Sequence, residues 1–164
     1  MERIEVELED GPHGLEQART LRNAGDRMDR TRRAGVVLWN VTLTLRILGP
    51  TSWWNQARQY FPDVLWLRKR PDELGDDRRL RQEDFEEPIP QRVLDHLNSL
   101  AHGDSRADLH AKLPESFLRS GVVHTNMETI LTILRERGHY NSGHWYGFCR
   151  SVRGMESLAP LIAE

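Results

Sequence analysis

Apolar and polar positions alternate, recur at helical spacing, or lose all period along this chain, and these three behaviours divide it. Residues 3–8, RIEVEL, alternate with Ile4, Val6 and Leu8 on one side, the pattern of a short half-buried strand that Asp10-Gly11-Pro12 turns back. From His13 to about Met28, Leu15, Ala18, Leu21 and Ala24 or Gly25 recur at helical spacing beneath an outer face of Arg19, Arg22 and Arg27. Residues 35–48, GVVLWNVTLTLRIL, form the clearest strand. Trp39, Val41, Leu43, Leu45 and Ile47 share one face, and Asn40, Thr42, Thr44 and Arg46 the other. Gly49-Pro50 ends that strand, and Thr51 or Ser52 is placed to cap a helix carrying Trp53, Trp54, Ala57, Tyr60 and Phe61 on a broad aromatic face.

The period then lapses. Residues 64–88 mix charges with Pro71, Gly75 and Pro88 and read as a long surface excursion. Ile89-Pro90 opens a helix to about Ala101 with Val93, Leu94, Leu97 and Leu100 inward. After a break at 102–105 and a short helical piece to Lys112, Leu113-Pro114 leads through SFLRSGVV, a turn or short extended piece, towards another helix. Thr125 with Glu128 three residues on predicts a capping box there. Met127, Ile130, Leu131 and Leu134 give the buried stripe, and Gly138 the stop. Ser142 is placed to cap a last helix with Trp145, Phe148, Cys149 and Val152 on one face; Gly154 ends it, and MESLAPLIAE is an apolar tail suited to docking. Together these elements predict one α+β domain over residues 1–164: a small, largely antiparallel sheet packed against four to five helices.

Composition adds bounds. A chain of 164 residues, 38% hydrophobic and 29% charged, is long enough for one core with a richly charged surface. Neither an apolar run of about 18 residues nor a signal peptide is visible, so no membrane contact is expected and a cytoplasmic location is the default. Cys149 is the lone cysteine, which fits a reducing compartment. Of 23 basic residues only Lys69 and Lys112 are lysines, a bias that a G+C-rich coding sequence explains; the net charge of −2 argues against whole-surface phosphate binding, so nucleic acid is not the expected partner.

Candidate chemistry gathers late in the chain. Asn126 and Arg137 lie eleven residues apart, about three helical turns, and so project along nearly one line. Arginine offers a planar fork suited to phosphate or to a pyrimidine carbonyl edge, although a helix C-terminus also favours arginine for its charge alone. His139 and His144 titrate in the range of general acids and bases but have no partner carboxylate in view. A metal among His124, His139, His144 and Cys149 is disfavoured, since the ligand spacings of five miss one helix face. Trp53-Trp54 suits either a core or a wall on which a planar ligand stacks.

Leu113-Pro114, Thr125-Asn126, Leu131, Arg137, His139 and Trp145 resemble the C-terminal half of the flavin-dependent thymidylate synthases, where Leu-Pro precedes a helix reading Thr-x-Asn-x-x-x-Leu followed by Arg, His and Trp. Strand 36–48 followed by Pro50 and Gln56 is similar to the strand that enters that family's flavin-binding helix. The resemblance implies a pyrimidine nucleotide at Arg137, with Asn126 and His139 lining the pocket, and FAD near Asn126, Gln56, Trp53 and Trp54. It also implies a homo-oligomer, and a diverged member of phage or actinobacterial type. The family's Arg-His-Arg is absent, its place taken by Gln59-Tyr60-Phe61, which puts the flavin and the chemistry in doubt. Two readings of other classes stand beside it: an interaction protein using the Arg-rich helix 15–33 and the charged loop 64–88, and a DNA-binding protein using the same helix.

Overall fold

The computed structural model describes residues 4–14, 38–66, 79–101, 109 and 112–162. In chain order the elements are β1 (Glu5–His13), β2 (Thr42–Pro50), α1 (Thr51–Ala57), β3 (Val64–Trp66), α2 (Gln91–Ala101), β4 (Leu118–Asn126), α3 (Met127–Arg137), α4 (Gly143–Arg153) and α5 (Ala159–Ile162). The four strands form one sheet in the order β1-β2-β4-β3, every pairing antiparallel. With five helices among the described residues this is the α+β fold that the apolar pattern predicts. None of those helices is long and apolar enough to cross a membrane.

Alternation in β2 sets the layers. Val41, Leu43, Leu45 and Ile47 are fully buried on the helix side, where they meet Trp53, Trp54, Met127, Ile130, Phe148 and Val152 in the main core. The opposite side of the sheet is polar: Thr44 Oγ1 lies 3.1 Å from His124 Nδ1, and Arg46 pairs with Glu9 across to β1. A second apolar cluster, Leu80, Phe85, Leu94, Leu97, Leu109 and Phe117, seats α2. Side-chain amides fasten its polar backbone. Asn98 accepts from Leu80 N and donates to Leu80 O (2.7 and 3.1 Å), and Gln82 does the same for Ile89 (2.9 and 2.8 Å). Paired in this way, the part-buried amides avoid the cost of desolvation without a partner.

The structure corrects several boundaries. Asp10-Gly11-Pro12 does not end β1; the strand bulges there and runs on to His13. Gly11 takes φ +98°, where a Cβ would stand 2.8 Å from the Thr42 carbonyl oxygen. Trp39 is not inward on β2 but 63% exposed in a helical turn ahead of it. α1 needs no side-chain cap, because Thr51 N and Ser52 N donate to the carbonyls of Phe117 and Glu115 (2.9 and 3.0 Å). Of SFLRSGVV, residues 118–123 are extended, as one of the two readings had it, and belong to β4, an inner strand in which Thr125 lies opposite Leu43. The cap of α3 is therefore Asn126, whose Oδ1 accepts from Thr129 N at 2.9 Å, not Thr125 with Glu128. Within 64–88, residues 64–66 form β3, and Leu80, Asp84 and Phe85 are buried. The Arg-rich segment 15–33 lies outside the described residues. α2 and α4 have the predicted apolar faces, and Leu158 of the tail is fully buried.

Candidate functional site

Arg137 ends α3, and the turn that follows aims Tyr140 back towards it. Arg137 Nε donates to Tyr60 Oη at 3.2 Å and Nη1 to Tyr140 Oη at 3.3 Å. Tyr60 comes from the turn after α1, far away in sequence, and itself donates to Glu136 Oε2 at 2.6 Å. The guanidinium carbon stands 5.4 Å from the centre of the Trp145 ring and 5.9 Å from that of Tyr60, within cation–π range of both. Trp145 is fixed in turn, since its Nε1 donates to Gln56 Oε1 at 2.9 Å. The segments that meet here are thus the end of α1, the end of α3 and the start of α4.

The electrostatics follow from these contacts. The hydrogen bonds that it donates, first to Tyr60 and then to Tyr140, push the Arg137 guanidinium further above its ordinary value, so it stays charged. Burial, and then the bond to Glu136, push the Tyr60 phenol up as well, so it stays protonated. Both contacts to Arg137 are long for charge-assisted bonds, and among the described residues no carboxylate pairs with it. A half-buried arginine oriented by two phenols and two rings, with further N–H groups to offer, is suited to a planar anion.

The structure brings Gln56, Arg137 and His139 to this end of the molecule. His139 is exposed, its ring stacked on Tyr140 with centroids 4.6 Å apart. Asn126 sits at the other end of α3, about 16 Å away along the axis at roughly 1.5 Å per residue, with its side-chain oxygen used as the helix cap. Trp53 and Trp54 are 1% and 0% exposed, ring against ring in the core, so neither offers a face for stacking. Of the four residues expected near a flavin, Trp53 and Trp54 are sealed, and the oxygens of Asn126 and Gln56 are occupied by Thr129 N and Trp145 Nε1. They do not fit the group. Cys149 is buried, and desolvation raises its thiol, so it stays protonated within the core.

Sequence reasoning missed Tyr60 as a site residue and the carboxylate of His144. Glu86 Oε1 lies 2.5 Å from His144 Nε2, with the two side chains 10% and 24% exposed. A Tyr on an aromatic helix face and a Glu in a charged stretch carry no local signal of a site; only their long-range partners mark them.

Comparison with known structures gives this α+β fold its structural neighbours. No family model matches the chain, and no curated protein matches it. Among solved structures it is similar to thymidylate synthase X (ThyX) from Helicobacter pylori, crystallised with FAD and dUMP. The TM-score is 0.68 at 12% identity, covering 99% of this chain and 98% of that one. It is also similar to the UMP/dUMP methylase PolB from Streptomyces cacaoi. The structure with 5-Br dUMP gives a TM-score of 0.58 at 12% identity over 98% of this chain and 92% of that one. The structure with 5-Br UMP gives 0.56 at 14% over 86% and 79%. At these identities the likeness is one of fold, and the fold is that of a thymidylate synthase X, as the sequence between Leu113 and Trp145 suggests.

Proposed function

We propose that this protein binds a pyrimidine nucleotide, its phosphate or base carbonyl edge taken by Arg137 and its surroundings formed by Tyr60, Tyr140, His139 and the Gln56–Trp145 pair. One observation carries the reading: Arg137 is held by two phenolic hydroxyls over the Trp145 ring with no carboxylate partner among the described residues. The fold is shared with proteins crystallised with dUMP, 5-Br dUMP and 5-Br UMP, which supports a uracil nucleotide as the ligand class. FAD in the Helicobacter protein's crystal supports testing the flavin too. Since Trp53, Trp54 and Gln56 offer it no seat, nucleotide binding is proposed independently of flavin.

The test is calorimetric titration of the full chain with dUMP, alone and after addition of FAD. Arg137→Ala should weaken dUMP binding about ten- to hundredfold, the range of one or two hydrogen bonds to a charged group, with the far-UV circular dichroism unchanged. Arg137→Lys should recover only part of the affinity, because it keeps the charge but loses the fork. Unchanged affinity in Arg137→Ala would remove this residue from the site, and no saturable binding by the wild type would end the reading. Sedimentation in the same buffer tests the homo-oligomer that the resemblance implies.

A further inference from the structure

α1 lays three contacts in a row. At its start, Ser52 N is bonded to Glu115 O, and Glu86 N donates to the neighbouring Ser116 O at 2.8 Å, so Glu86 and the His144 it holds stand at that end. One turn on, Gln56 holds Trp145. Just beyond the helix, Tyr60 holds Arg137. The Glu86–His144 pair and the Tyr60–Arg137 pair thus stand towards opposite ends of α1, and a nucleoside monophosphate carries its phosphate at one end and its base at the other. Trp145, whose ring centre stands 5.4 Å from the Arg137 guanidinium carbon, is the residue next to His144.

The pair at the base end has a defined polarity. A carboxylate only accepts, so Glu86 draws the proton of the imidazole to Nε2; in the neutral ring Nδ1 is then an acceptor, and among the described residues it has no partner. An acceptor there complements the N3–H of uracil. It opposes the N3 lone pair of cytosine, which at that position is itself an acceptor.

Resting on the nucleotide reading above, we infer that His144, oriented by Glu86, is the specificity-determining residue that accepts from the base and selects uracil over cytosine nucleotides. Glu86 acts as its positioning residue. An unmatched lone-pair contact in a half-buried site costs about 1–3 kcal/mol, which corresponds to a preference of roughly five- to a hundredfold.

The experiment compares dUMP with dCMP by calorimetry at about pH 8, above the ordinary imidazole range. The wild type should prefer dUMP by about fivefold or more. His144→Ala should bring the two affinities together by weakening dUMP. Glu86→Gln should also narrow the gap, because an amide can donate to Nε2 and release the opposite tautomer. The ratio of affinities is the readout that a merely structural pair would not move, since a loosened fold weakens both ligands alike; melting curves on each variant register such loosening separately. A wild type without preference, or a preference that survives both substitutions, overturns the inference. If Arg137→Ala weakens both nucleotides equally while His144→Ala leaves the ratio intact, nucleotide binding stands and this assignment alone falls. If the wild type binds neither, both fall.

Discussion

Replacing Asn126 by alanine is the sharpest test of how this chain turns from sheet to helix. Asn126 pairs with Thr42 as the last residue of β4, and its Oδ1 accepts from the partly buried Thr129 N at 2.9 Å. Alanine keeps the strand pairing and removes only the acceptor. Loss of an N-cap costs about 1 kcal/mol, and leaving a partly buried N–H without a partner moves the figure towards 2 kcal/mol. For a chain of this size each kcal/mol lowers Tm by about 2–4 °C, so a fall of roughly 2–8 °C is expected in a circular-dichroism melt. Asn126→Asp should return most of it, because the carboxylate accepts the same bond and its charge suits the positive end of α3. Thr125→Ala, on a strand residue opposite Leu43, should leave the helix cap untouched. If Thr125→Ala melted early while Asn126→Ala melted like the wild type, the cap would lie one residue upstream, and the reasoning that extends β4 to Asn126 would be wrong. The same variant bears on the site. With its side chain about 16 Å from Arg137, Asn126→Ala should change dUMP affinity by no more than about twofold.

Two further outcomes follow from the core and the phenol. Phe148 is fully buried between Trp53, Phe61 and Trp145, so Phe148→Ala should cost about 3–5 kcal/mol in urea unfolding; a loss under 1 kcal/mol, about what exposed positions show, would contradict its place in the core. Tyr60 has its folded pKa raised above the ordinary phenol value, so its contribution to stability is whole below about pH 10 and is lost as pH rises through the folded value. Tyr60→Phe should therefore flatten the alkaline limb of the stability curve and weaken dUMP binding severalfold by releasing one side of Arg137; an unchanged alkaline limb would show that the phenol is not perturbed.

Much of the fold is visible in the apolar periods, because β2, α2, α3 and α4 each bury one face and their sequences keep that face clean. β4 escaped for a physical reason. As an inner strand it pairs on both sides and packs one face only in part, so LRSGVVHTN shows no steady alternation, and its closing Thr-Asn before Met127 imitates the opening of a capping box. Arg137 was legible as a fork at a helix end, but its meaning comes from Tyr60, 77 positions away. His144 was seen without a carboxylate because Glu86 lies 58 positions upstream in a stretch with no period of its own. Trp53 and Trp54 carried two meanings in the sequence, and only the packing of Phe148 and Trp145 against Trp53 and of Trp66 against Trp54 decides for the core.

The antiparallel pairing of β2 with β4 brings Thr44 beside His124, 80 positions further on. Joining such distant segments has an entropic cost that grows only with the logarithm of the intervening length, about 0.6 kcal/mol for each doubling. A chain that already bears the cost of so large a closure can change the length of the exposed connections between these strands at little further entropic cost, while Trp53, Trp54, Phe85 and Leu97, which lie between them, stay bound to the cores. In evolutionary terms, the contacts that the stretch between the two strands sends back to α4, Glu86 to His144 foremost, are where new ligand preferences would be written without disturbing Arg137.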